Sequence, residues 1–121
     1  MAIRKFLSAA DVESAADTKY EEVEVPEWGG TIRLRSMTAG QSMRQLVDLK
    51  RFPDDGMCII LMYSAVDEND NLVYSMDRVN EEGVPFDLIM LRSKSMAVLD
   101  RLQRVCVRLN REKSPEETKK A

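Results

Sequence analysis

Apolar and polar residues alternate along two short stretches, Tyr20 to Val25 and Thr31 to Arg35. Val23 and Val25 point one way and Glu22 and Glu24 the other, and Ile32 and Leu34 alternate with Thr31, Arg33 and Arg35. A period of two marks strands with one buried face. Between them lies Pro26-Glu27-Trp28-Gly29-Gly30. Proline withholds a ladder donor, and the paired glycines supply the positive φ of a reversal. The segment predicts a β-hairpin or bent strand pair. Glu22 or Glu24 is expected to reach across to Arg33 or Arg35, an exposed pair worth roughly 0.2–1 kcal/mol.

The period then changes to that of helices. Ser8 can cap a short helix through Ala10, Asp11 and Val12; otherwise residues 1 to 19 form an arm. Thr38-Ala39-Gly40-Gln41 has the form of a capping box. The helix it opens should bury Met43, Leu46, Val47 and Leu49 and stop before Phe52-Pro53. From Met57 to Val66 the chain is apolar on nearly every side, which predicts a buried central helix. Asp67 to Asn71 reads as a polar turn, Leu72-Val73-Tyr74 as a short strand, and Ser75 as the cap of a brief helix through Val79. Pro85 suits the first turn of another helix. Leu88, Ile89, Leu91, Met96, Leu99, Leu102, Cys106 and Leu109 then form a long helical stripe, broken near Ser93 or Ser95. The expected fold class is α+β, a small N-terminal antiparallel hairpin packed on a C-terminal bundle of about four helices.

Length and composition narrow this further. A chain of 121 residues, 44% of them hydrophobic, can build one core. We expect a single domain over residues 1–110 and a disordered charged tail over 111–121. The 18 basic and 21 acidic residues leave a net charge of −3, which argues against broad nucleic-acid binding. Arg101, Arg104, Arg108 and Arg111 recur at helical spacing and read as a solvated helix face. No apolar run approaches the ~20 residues of a membrane span, and Phe6-Leu7 is too short for a signal peptide. Cys58 and Cys106 sit in apolar runs and read as buried free thiols of a reducing compartment.

Candidate chemistry is sparse. The absence of histidine removes Ser-His-Asp and Cys-His catalysis. There is no phosphate-binding glycine motif and no CxxC pair. Asp67, Asn69 and Asn71 match the first ligands of a calcium loop, but Leu72 stands where glycine is required and Arg78 where a bidentate glutamate is required. A turn whose side chains bond their own backbone is the better reading. No cofactor, metal or catalytic residue is expected. Trp28 reads first as packing over the hairpin end, with partner recognition as the other role. Met43, Met62, Met90 and Met96 fall at core spacing. Met37, Met57 and Met76 are not assigned to the core by their spacing, and with Trp28 they are the candidate partner contacts.

Val25-Pro26-Glu27-Trp28-Gly29-Gly30, followed by an Arg-rich strand and a helix opening after Thr38, resembles the tail assembly chaperones of long-tailed bacteriophages and prophages. The acidic turn and apolar strand from Val66 to Ser75 add to the likeness. So do Lys94-Ser95, Leu99-Asp100-Arg101-Leu102 and Val107-Arg108-Leu109-Asn110. The resemblance runs from about Leu7 to Asn110 and departs at Asn80 to Phe86, where the chain has extra loop. It implies a non-enzymatic protein of the host cytoplasm. Such a protein would bind the tape-measure protein, help recruit major tail-tube subunits around it, and leave before the virion is complete. Many members of that family are also made in a longer form by ribosomal frameshifting, which a protein sequence does not show, and the resemblance leaves self-association open. The alternative is a structural tail-completion or joining protein retained in the particle. A regulatory DNA-binding domain would need a basic face that the composition does not supply.

Overall fold

The structure is a computed structural model and describes residues 5–111. The tail expected to be disordered lies, from residue 112 onward, outside the described residues. Helix α1 (Ala9–Ser14) opens on Ser8, whose hydroxyl accepts from the Asp11 amide while the Asp11 carboxylate accepts from the Ser8 amide.

Strands β1 (Tyr20–Val25) and β2 (Gly30–Arg35) form the expected hairpin, with Val23 opposite Ile32 and Val25 opposite Gly30. A single 3-10 turn (Pro26–Trp28) makes the corner. Gly29 alone carries the positive φ there, at 78°. Gly30, also expected to need one, is ordinary extended backbone at the start of β2. Paired residues share a face, so Glu21, Val23, Val25, Ile32 and Leu34 look inward; Val25 and Leu34 are fully buried. The expected Glu–Arg pairs across the hairpin do not form. Glu22 lies opposite Arg33 in register, but Arg33 stacks on the Tyr20 ring and donates to the Asp67 carbonyl, and Arg35 binds Asp70. The arginines turn toward the third strand because its acidic turn offers carbonyls and a carboxylate together.

That strand, β3 (Ala65–Val66), pairs with Leu34 and Arg33, giving the order β1-β2-β3 with β2 in the middle. It is cut from the end of the helix expected to reach Val66. Helix α3 (Gly56–Ser64) stops two residues sooner because sheet pairing satisfies the buried backbone that follows. Every residue from Cys58 to Ser64 is buried, and α3 touches α2 (Ala39–Arg51), α4 (Phe86–Arg92), α5 (Met96–Asn110) and β2. It is the central element the sequence predicts. Leu88, Leu91, Leu99, Leu102, Cys106 and Leu109 close the core from α4 and α5, which break at Ser93 to Ser95 as expected.

The segment after β3 differs from expectation. Asp67 accepts from the amides of Asn69 and Asn71, the self-bonded turn foreseen for these residues. Leu72 makes one isolated bridge to Val66, and Leu72 to Tyr74 do not form a strand. Nor does Ser75 open a helix: its hydroxyl accepts from Asp77 while its amide donates to the Asp87 carboxylate. These local side-chain bonds give the backbone an alternative to helix. The extra loop is stapled by Asn80, whose side-chain oxygen accepts from the Glu82 and Val84 amides.

Candidate partner-binding site

The hairpin corner is fastened to α5. Arg101 donates to both carboxylate oxygens of Glu27, at 3.1 and 2.9 Å, and Arg108 grips Glu21. The Arg101 guanidinium holds the Glu27 carboxyl below its ordinary range. Arg104 pairs with Asp100 one turn earlier on the same helix. The arginine row read as a solvated face therefore includes two side chains that strap the sheet to α5. The signal for this was the acidic spacing of Glu21 and Glu27 on the hairpin.

The four candidate contacts sit in separate places. Trp28 is half-buried at the corner and packs against the core beneath it. Met37 is half-buried in the link to α2, where its amide donates to the Asn110 side chain at 2.7 Å. Met57 leans on the core from the first turn of α3. Met76 lines a groove of about 380 Å³ with Arg44, Val47, Asp48, Tyr63 and Asp77, which none of the other three enters.

Helix α2 overturns an expectation. Its capping box forms as foreseen: Thr38 accepts from Gln41, and Gln41 accepts from Thr38. Its rotation differs from the one expected: of the four residues assigned inward, only Leu49 packs on the core. Met43, Leu46 and Val47, assigned to the core, are 68%, 58% and 60% exposed. The face turned toward α3 carries Gln41, Gln45, Asp48, Leu49 and Phe52, and Asp48 is its buried residue. The cause lies in α3. The Tyr63 hydroxyl donates to the Asp48 carboxylate at 2.5 Å, and Leu49 packs where Gly56 leaves room. A buried phenol needs an acceptor, and meeting that need turns the apolar stripe outward. Burial, then the Asp48 hydrogen bond, push the Tyr63 phenol well above its ordinary range.

Met90 and Met96, also assigned to the core, are exposed, as are Phe86 and Ile89. Leu88 and Leu91 take the inward side of α4 instead, and Met96 sits at the open first turn of α5. Met62 is buried as expected. Both cysteines are buried free thiols; burial pushes Cys106 up to about 11 and raises Cys58 as well, so neither is a poised nucleophile. Among the described residues no helix is long and apolar enough to cross a membrane.

No family model matches the chain. No curated protein matches it either. A solved structure does: that of the bacteriophage HK97 tail assembly chaperone, with a TM-score of 0.60 and 19% identity over 87% of this chain and 95% of that one. Hairpin, central helix and closing helix thus form an architecture shared with a phage tail assembly chaperone, over nearly the full length of both chains.

Proposed function

We propose that the chain is a phage tail assembly chaperone that acts by binding, without turnover, in the cytoplasm of the bacterial host. Its partners in this reading are the tape-measure protein and the major tail-tube protein, and it leaves before the virion is complete. The observation that carries the reading is the fold likeness to the HK97 tail assembly chaperone across 87% of this chain. The exposed apolar side chains on α2 support it, since apolar surface is what a protein needs to cover a partner's aggregation-prone stripe. Met76 at its groove, and the half-exposed edges of Trp28, Met37 and Met57, are contacts we assign to that role.

The test is co-expression with the tape-measure protein of the encoding genome, followed by pull-down, with purified particles probed for this chain. A raised soluble fraction of the tape-measure protein, a recovered complex and absence from particles are expected. No complex, together with stoichiometric presence in particles, would replace the chaperone by the tail-completion or joining protein.

A further inference from the structure

We propose that the outward face of α2 is the docking surface, and that its occupant is a partner's amphipathic helix whose apolar stripe is flanked by aspartate or glutamate. The proposal rests on the chaperone reading and adds to it the surface and the charge of what binds there. Met43, Leu46 and Val47 stand at i, i+3 and i+4, the spacing at which one helix offers a continuous strip to another. Beside the strip, Val47, Tyr63 and Met76 line the groove between α2 and the irregular segment after β3. An exposed strip next to a groove suits a helix laid along it.

Charge identifies the occupant. Across the described residues Arg33, Arg35, Arg78, Arg92, Arg101, Arg104 and Arg108 each hold a carboxylate. Arg44 and Lys50, which flank the α2 strip, form neither an ion pair nor a hydrogen bond among those residues. Arg51, at the helix end, gives one donor to the Gly83 carbonyl. Asp48 is the helix's one acid, and it is buried against Tyr63. Asp77 lines the groove but makes no ion pair with Arg44. An apolar strip with unpaired cations beside it is complementary to an apolar stripe with acids beside it. The same charges disfavour a second copy of the chain. Two α2 helices laid together would set Arg44, Lys50 and Arg51 against their own kind with no exposed acid on either helix to offset them, Asp77 standing off the helix at the groove.

The experiment measures capture of the tape-measure protein of the encoding genome by the purified full chain. Three variants are compared with wild type: Leu46→Glu combined with Val47→Glu, Arg44→Glu, and, as a control on another exposed apolar face, Ile89→Glu. All four positions are exposed and glutamate is a good helix former, so thermal melts should match wild type. The double variant should weaken capture at least about tenfold. Arg44→Glu should weaken it roughly three- to tenfold, with the difference shrinking as salt rises. Ile89→Glu should bind as wild type. If wild type captures the partner and the α2 variants do so equally well, this surface is wrong and the chaperone reading stands. If wild type captures nothing, both fall. A wild-type dimer in sedimentation that the double variant splits, with capture unchanged, would overturn the proposal in favour of a second copy. Should the double variant fail to fold, Arg44→Glu decides alone.

Discussion

Helices α5 and α2 are both amphipathic, and the fold turns them in opposite senses. Helix α5 buries Val98, Leu99, Leu102, Val105, Cys106 and Leu109 and sends two of its arginines to the hairpin. Helix α2 buries an aspartate and presents Met43, Leu46 and Val47 to solvent. A stripe at helical spacing states that a face is meant to be covered. It does not state by what. On α5 the cover is this chain's own sheet and central helix. On α2 one buried phenol-to-carboxylate bond has set the rotation, and the apolar side is left for something else.

The same residue type can be used to break that contrast. Leu102→Ala, on the fully buried side of α5, should destabilise the protein by about 2–5 kcal/mol in urea unfolding, through lost transfer energy and the cavity left behind. A cost below about 1 kcal/mol would mean that α5 is not a core helix.

Next in size is the bond that orients α2. Asp48→Ala leaves the Tyr63 hydroxyl buried without its acceptor and should cost about 1–3 kcal/mol. Asp48→Asn, which keeps an oxygen there, should cost less. The pair also predicts an alkaline response. The folded chain keeps the Tyr63 proton to higher pH than the ordinary phenol value of 10.0 at which the unfolded chain releases it. Stability from this group is therefore complete below pH 10 and is lost as pH rises past it, by at most about 1.4 kcal/mol per pH unit. Tyr63→Phe should remove that part of the slope. An identical slope in the variant would take Tyr63 out of the account.

The hairpin corner gives a smaller effect. Gly29→Ala forces a side chain into φ 78° and should cost about 1 kcal/mol, whereas Gly30→Ala should be close to neutral. Equal costs at both positions would show that the corner closes differently. Smallest of all is Leu46→Ala, expected within about 0.5 kcal/mol of wild type because the side chain is already in water. A core-sized loss there would erase the distinction between the two helices.

The sequence made the hairpin, the Thr38 cap, the central helix and the break before α5 legible, because each rests on local rules of alternation, capping or apolar run length. The rotation of α2 was not legible. Its alternatives differ by a contact between Asp48 and Tyr63, fifteen positions apart, and a buried aspartate runs against every composition-based expectation. The region from Leu72 to Val79 was misread for a related reason. Asp87 accepts from the Ser75 amide from twelve residues away and ends the helix that Ser75 was expected to begin. Of the candidate contacts, Met76 could be placed at a groove only once α2 and α3 were in position.

Among the described residues β1 pairs on one side only, with β2. The outer edge of β1 offers unpaired amides and carbonyls to any extended chain, and such edges are where proteins stack into fibres. On this strand Glu22 and Glu24 stand on the exposed face, and neither is held in an ion pair among the described residues. A second copy adding its own β1 would bring those carboxylates alongside one another, and like charges facing across a sheet repel. The open backbone is thereby made a poor template for copies of itself, a counterweight in a molecule with a bare apolar helix face.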